Sequence, residues 1–268
     1  MVRWLVRGLV PAGFYVLSLV MLPVPSAAQD GSTIVPTLRT ATSRLGDFAD
    51  RDSPSSSGWK AVLVGGNHLI SSYNNAASDI GARLRHSGVN RVTVLHSPGP
   101  GAGGTPMARR RDIRQAWAAL GEGEACLFFI TSHATERGIY LSAETGFLGA
   151  GELSTIVTTE CGERPTVLIL SGCGTGAFID SALARENHVI LTASARGRVS
   201  YGATTMDRHV NFDRCVIQAI DGGARTWRHV FDLTLPCVRA REAELGVAAS
   251  QPQAWFGSRV ADLALPGR

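Results

Sequence analysis

The chain has 268 residues, with 26 Lys and Arg against 22 Asp and Glu and a formal net charge of +4. This mild positive charge forms no long basic stripe with interleaved aromatics, so a nucleic-acid-binding function is excluded. The seven histidines show no ligand-like spacing with carboxylates or thiols, and we expect neither a metal site nor a cofactor.

The N-terminus has the organisation of a secretory signal peptide. Arg3 and Arg7 give a positive start, residues 8–22 form an apolar stretch, and residues 26–28 are small. The apolar stretch is about fifteen residues, shorter than the roughly twenty that a membrane-spanning helix needs. Cleavage after Ala28 is favoured over an uncleaved anchor. We therefore expect residues 1–28 to be removed and the mature protein to be periplasmic or secreted, without stable membrane insertion.

The next segment, residues 29–57, is poor in large apolar side chains and ends in DRDSPSSS. Such a composition cannot bury enough surface to order itself, which predicts a flexible leader. Residues 58–268 remain as one domain, of a length that can bury a substantial core.

Strands and helices alternate along this domain. Uninterrupted apolar runs predict strands, and apolar residues at helical spacing predict helices. The predicted strands are 59–66, 91–96, 126–131, 166–171 and 188–194, and the predicted helices are 74–86, 109–120, 151–159 and 178–186. From residue 207 the pattern is mostly helical, with Pro236 interrupting it. Strands that are apolar on both faces indicate an α/β fold, with a mostly parallel sheet covered by helices on each side.

Two reactive side chains follow the ends of predicted strands. His133 comes after strand 126–131, and Cys173 comes after strand 166–171 between two glycines. Ligands of open parallel sheets bind beyond the carboxyl ends of the strands, so neighbouring strands would bring this pair together. A base and a helix N-terminus both activate a thiol, and the predicted helix after Gly176 would supply the latter. Taken separately, a buried structural cysteine and an ordinary histidine are the alternatives.

The segments that contain this pair, FFITSHATERGIYLS and VLILSGCGTGAFID, resemble the legumain (asparaginyl endopeptidase) family of cysteine peptidases in its bacterial branch. The stretches around GGNHLISSYNNAASD, ILTASARGRVSYG, NFDRCV and QPQAWFGS are also similar, so the resemblance extends over residues 58–260 in the right order. It implies a caspase-like fold and a peptide or protein substrate.

The resemblance also implies the roles of individual residues. Cys173 would be the nucleophile, His133 its acid/base partner, and the N–H groups of Ala134 and Cys173 the oxyanion hole. Peptide bonds would be hydrolysed through a thioester. Asn75 and Asp213 fall at positions of the primary specificity pocket.

Ser194 lies on the strand that forms the wall of that pocket, and Gly174 is expected at the substrate site. Three residues depart from the family pattern, because Ala134 replaces a glycine, Gly174 an acidic residue and Asn75 an arginine. Asparagine specificity is therefore not implied, whereas a basic or amide side chain would suit Asp213. An inactive caspase-fold binding or scaffold protein, a transpeptidase or ligase, and an esterase or amidase are alternative functions.

Five cysteines in an exported chain leave one thiol unpaired, and a catalytic Cys173 would be that one. The others can pair as Cys126 with Cys161, at the sheet edge opposite the site, and Cys215 with Cys237, in the helical C-terminal region. Four buried free thiols are the alternative.

Overall fold

The computed structural model describes residues 58–99, 107–202 and 207–268. The predicted signal peptide and leader, residues 1–57, lie outside the described residues. The strands are β1 (Trp59–Gly65), β2 (Arg91–Leu95), β3 (Ala125–Thr131), β4 (Ala134–Thr135), β5 (Gly138–Leu141), β6 (Gly146–Leu148), β7 (Thr166–Ser171), β8 (His188–Thr192) and β9 (Gln253–Phe256). The helices are α1 (Ser71–His86), α2 (Arg110–Trp117), α3 (Ala150–Cys161), α4 (Asn211–Asp221) and α5 (Trp227–Leu245).

Six strands form the central sheet in the order β2-β1-β3-β7-β8-β9. The first five are parallel, and β9 runs antiparallel to β8 at the edge. Successive side chains of a strand point to opposite faces, so Ala61 and Leu63 of β1 pack with α1, α4 and α5, whereas Val62 and Val64 pack with α2 and α3. Helices on both faces explain why the strands are uninterrupted apolar runs.

The predicted α-helix over 178–186 is wrong. The chain forms one 3-10 helix, Thr175–Phe178, and then turns until β8 begins. The Ser181 hydroxyl donates to the Phe178 carbonyl at 2.5 Å and accepts from the Leu183 N–H at 3.2 Å. These local bonds occupy backbone groups that an α-helix would need.

Several predicted boundaries also shift. Helix α1 begins at residue 71 rather than 74, α3 extends one or two residues beyond 151–159 at each end, and β8 ends at residue 192 rather than 194. Helix α2 ends at Trp117, not at residue 120, and Ala119 has a φ of 58°. The Lys60 amine donates to the Ala118 carbonyl and the Arg91 guanidinium to the Ala119 carbonyl. Side chains from the sheet thus bind the carbonyls of the two residues that follow the helix.

The sequence pattern missed two antiparallel elements. One is the edge strand β9, and the other is the small sheet β4-β5-β6 that follows β3 directly. These strands have two to four residues each, too few for an alternating pattern to be recognised.

Pro236 lies inside α5 and does not interrupt the helix. A disulfide between Cys215 of α4 and Cys237, the residue after the proline, ties the two helices together. A second disulfide joins Cys126 at the start of β3 to Cys161 at the end of α3. Cys173 is the free cysteine among the described residues.

Candidate active site

The candidate site lies where the two central strands β3 and β7 end. These strands are parallel neighbours, and Thr131 of β3 pairs with Ser171 of β7. His133 and Cys173 each follow two residues later, so they leave the same edge of the sheet at the same level. Adjacent strands and equal spacing therefore bring the histidine and the thiol to one place.

Both side chains line a cavity of about 280 Å³. The strand ends contribute Ser132, His133, Ser171, Gly172 and Cys173 to its wall. The rest of the wall comes from three other segments. These are Ile70 and Tyr73 at the start of α1, Val199, Ser200, Tyr201 and Gly202 after β8, and Val210 just before α4. The cavity is small by the standard of ligand pockets, which occupy roughly 300–1,000 Å³.

The turn that carries Cys173 is held by Ser194. Gly174 has a φ of 68°, in the left-handed region that favours glycine. Its N–H donates to the Ser194 hydroxyl oxygen at 2.7 Å, and the hydroxyl lies 3.1 Å from the Gly172 carbonyl, to which it can donate. Ser194 is completely buried. It thus binds the backbone on both sides of the thiol and fixes the direction of the Cys173 side chain.

The Cys173 thiol is half-buried and faces the carbonyl of Ser200, with 3.8 Å between sulfur and oxygen. The 3-10 helix that follows has four residues, too short for the dipole of a full helix to act on the sulfur. The sequence predicted that a helix N-terminus would help to activate the thiol, and that prediction is not met. Activation of the Cys173 thiol therefore depends on neighbouring side chains.

His133 is exposed on one side and contacts Tyr73 on the other. The Tyr73 hydroxyl lies 3.4 Å from Nδ1 of His133, and the two rings meet edge to face with centroids 5.6 Å apart. Burial, followed by the charges of Asp213 and Cys173, raises the pKa of the Tyr73 hydroxyl. The hydroxyl therefore stays protonated. When Nδ1 carries the imidazole proton it donates to the Tyr73 oxygen, and Nε2 is then free to accept a proton from a thiol.

Asp213 lies beneath the site, in the first turn of α4, and is completely buried. The Thr131 hydroxyl donates to its Oδ2 at 2.6 Å. Burial raises the pKa of Asp213 to about 7, although the Ser171 and Thr131 hydroxyls favour the ionised form. The carboxyl group thus contacts the end of β3 and approaches the end of β7, two residues before His133 and Cys173.

The residues expected at the substrate site do not line this cavity. Asn75, Gly174, Ser194 and Asp213 all lie outside the cavity wall, and so does Ala134. Asn75 donates from its amide to the Arg208 carbonyl at 3.2 Å on the other side of the α1 start.

Sequence reasoning also missed wall residues. Tyr73 belongs to the Tyr-Asn-Asn-Ala segment, but no pattern there shows which side chain turns toward His133. Val199 and Tyr201 follow β8 in a segment without regular structure, so periodicity gives no information about them.

Within the described ranges, no group of three or more His, Cys, Asp or Glu residues is arranged to hold a metal ion. No helix of the described residues combines the length and the apolar character that crossing a membrane requires.

The fold is caspase-like. The structure is similar to that of caspase-1 from Spodoptera frugiperda, with a TM-score of 0.56 and 14% sequence identity. The similarity covers 82% of this chain and 93% of the caspase chain. No protein-family model and no curated protein sequence matches the chain.

Proposed function

We propose that this chain is an exported, legumain-like cysteine endopeptidase with a Cys173–His133 dyad. One observation carries the proposal: Cys173, the free cysteine of the described residues, shares a cavity with His133 at the ends of adjacent central strands. The caspase-like fold is consistent with it.

In the proposed reaction the Cys173 thiol transfers its proton to Nε2 of His133, and the sulfur attacks the carbonyl carbon of the scissile bond. The carbon–nitrogen bond breaks as His133 returns the proton to the leaving amine, which leaves a thioester on Cys173. Water then attacks the thioester while His133 takes its proton, the carbon–sulfur bond breaks, and the thiol is restored. Tyr73 holds the imidazole orientation throughout, through its contact with Nδ1.

The backbone supports an oxyanion hole at Ala134. The Tyr140 N–H donates to the His133 carbonyl at 2.8 Å, so Ala134 and Ile139 form a non-hydrogen-bonded pair of the β4–β5 ladder. The Ala134 N–H therefore points away from β5. A Cβ placed on Gly172 would lie 3.5 Å from this nitrogen, so the N–H lies beside the Cys173 turn. Together with the Cys173 N–H it would bind the developing oxyanion.

Two disulfides support export, because such bonds persist in oxidising compartments. The test is the N-terminus of protein recovered from outside the cytoplasm. A chain that begins at Gln29 agrees with cleavage after Ala28, and a chain that retains Met1 contradicts it.

The catalytic proposal is tested with a peptide electrophile that labels active-site thiols. Wild type should be labelled at Cys173, Cys173→Ala should not be labelled, and His133→Ala should react at least about a hundredfold more slowly. His86→Ala is the matched control, because His86 is exposed at the far end of α1. Unlabelled Cys173 in the folded wild type refutes the nucleophile, and an unchanged rate in His133→Ala refutes the base.

A further inference from the structure

The part of the cavity wall that faces the dyad is apolar. Apart from the strand ends, its large side chains are Ile70, Tyr73, Val199, Tyr201 and Val210, none of which is charged at neutral pH.

Two polar groups of this wall already have hydrogen-bond partners within the protein. The Ser132 hydroxyl donates to the Tyr140 carbonyl at 2.7 Å, and the Ser200 carbonyl accepts from the Cys173 thiol at 3.8 Å. A charged side chain entering here would lose its water without meeting an opposite charge in the wall, which opposes its binding.

The nearby charged residues are directed elsewhere. Asp213, the carboxyl group expected to recognise a basic side chain, is completely buried beneath Thr131 and Ser171 and does not itself line the cavity. Arg198, next to Val199, donates to the Ala249 carbonyl at 3.4 Å. Arg196, earlier in the same segment, is paired with Asp180 at 3.0 Å. Neither a cation nor an anion of a substrate thus finds its counter-charge in the wall among the described residues.

Apolar surface is also exposed at the cavity mouth. Val199, a wall residue, is 48% exposed, and Leu69, which precedes the wall residue Ile70, is 71% exposed. Leu69 is the most exposed large apolar side chain of the described residues. Exposed apolar groups that rim a cavity are typical of a binding surface.

We infer that this cavity selects an apolar side chain, of the size of leucine or phenylalanine, immediately before the scissile bond. The inference rests on the proposed function, because the side chain is placed by the acyl group that Cys173 attacks. It names a substrate class that differs from the basic or amide side chain the sequence suggested. Transfer of apolar surface from water to the wall supplies the binding energy.

The experiment compares peptide chloromethyl ketones that differ only in the residue next to the reactive group. The readout is the second-order rate of Cys173 alkylation in the full-length mature protein, which needs no turnover. Leucine and phenylalanine probes should react at least about tenfold faster than arginine, aspartate and asparagine probes. A faster arginine, aspartate or asparagine probe overturns the inference and leaves the dyad intact. Failure of every probe to label Cys173 in the folded protein refutes the proposed function, and the inference falls with it.

A pair of variants tests whether the wall causes the selection. Val199→Asp places a carboxylate on the wall and should raise the arginine-to-leucine rate ratio about tenfold. Val199→Asn is the matched control, with the same shape and no charge, and its probe order should remain that of the wild type. An equal ratio in both variants would show that the probe side chain does not occupy this cavity, which also overturns the inference.

Discussion

Replacing Asp213 with asparagine should make the protein more stable at high pH relative to the wild type. The carboxyl group is completely buried, and its pKa of about 7 lies above the usual value of 3.8. The native state therefore holds a proton that the unfolded chain releases as the pH rises from about 4 to about 7. Wild-type stability from this group is fully present below about pH 4 and is lost as the pH rises through 7. Asparagine has no proton to lose.

The magnitude follows from the difference between the two pKa values. The pKa of Asp213 is about three units higher in the native state than in the unfolded chain. As the pH rises, this difference lowers the free energy of unfolding by about 4 kcal/mol in total, of which about 3 kcal/mol is lost between pH 5 and pH 8. The asparagine can keep the contact with Thr131, because a hydroxyl both donates and accepts. The amide thus removes the ionisation and retains the shape.

Urea unfolding at pH 5 and at pH 8 measures the effect in both proteins. The pKa of His96 and of His188 is lowered by burial, and these groups also change stability with pH. Subtracting the wild-type free energy of unfolding from that of the variant cancels their contributions. The difference should rise by about 3 kcal/mol in favour of Asp213→Asn. A rise of less than about 1 kcal/mol would refute the reasoning that Asp213 is held protonated.

Three further outcomes are expected. Replacing both Cys126 and Cys161 with alanine removes the disulfide that closes a loop of 35 residues, and this should lower the free energy of unfolding by about 4 kcal/mol. A loss below about 1 kcal/mol would contradict the chain-entropy argument. Tyr73→Phe removes the hydroxyl contact with His133, which should slow labelling of the Cys173 thiol about two- to tenfold and alter the pH dependence of the labelling rate. A loss of stability with an unchanged pH dependence would show that Tyr73 contributes packing alone. Gly138→Ala should lower the melting temperature, because the φ of Gly138 is 130° and a Cβ would collide with the Leu148 carbonyl oxygen. An unchanged melting temperature would contradict this.

Much of the fold could be predicted from local pattern. The buried strands are apolar on both faces because helices cover both sides of the sheet, so their runs are recognisable in isolation. Residues 178–186 show the limit of such patterns. Their apolar spacing is helical, but the Ser181 hydroxyl competes for the backbone, and that competition is invisible to periodicity.

The candidate site was also predictable from the sequence only in part. His133 and Cys173 were recognisable because each follows a strand directly, and their strands are neighbours. The role of Asp213 in substrate recognition stays a prediction, because α4 places its carboxyl group on Thr131 and the residue does not itself line the cavity. The direction of a side chain depends on how its helix packs, which sequence spacing does not encode.

The apolar strands, the histidine and cysteine at strand ends, and the odd number of cysteines could be recognised without a structure. These features are local or are simple counts, so they need no knowledge of distant contacts. The surroundings of the thiol, in contrast, depend on how distant segments pack. The cavity wall joins Ile70, Tyr73, Val199 and Val210, which come from segments up to 140 positions apart in the sequence. Packing of α1, α4 and the segment after β8 against the sheet brings these residues together, and that packing sets the apolar character of the site.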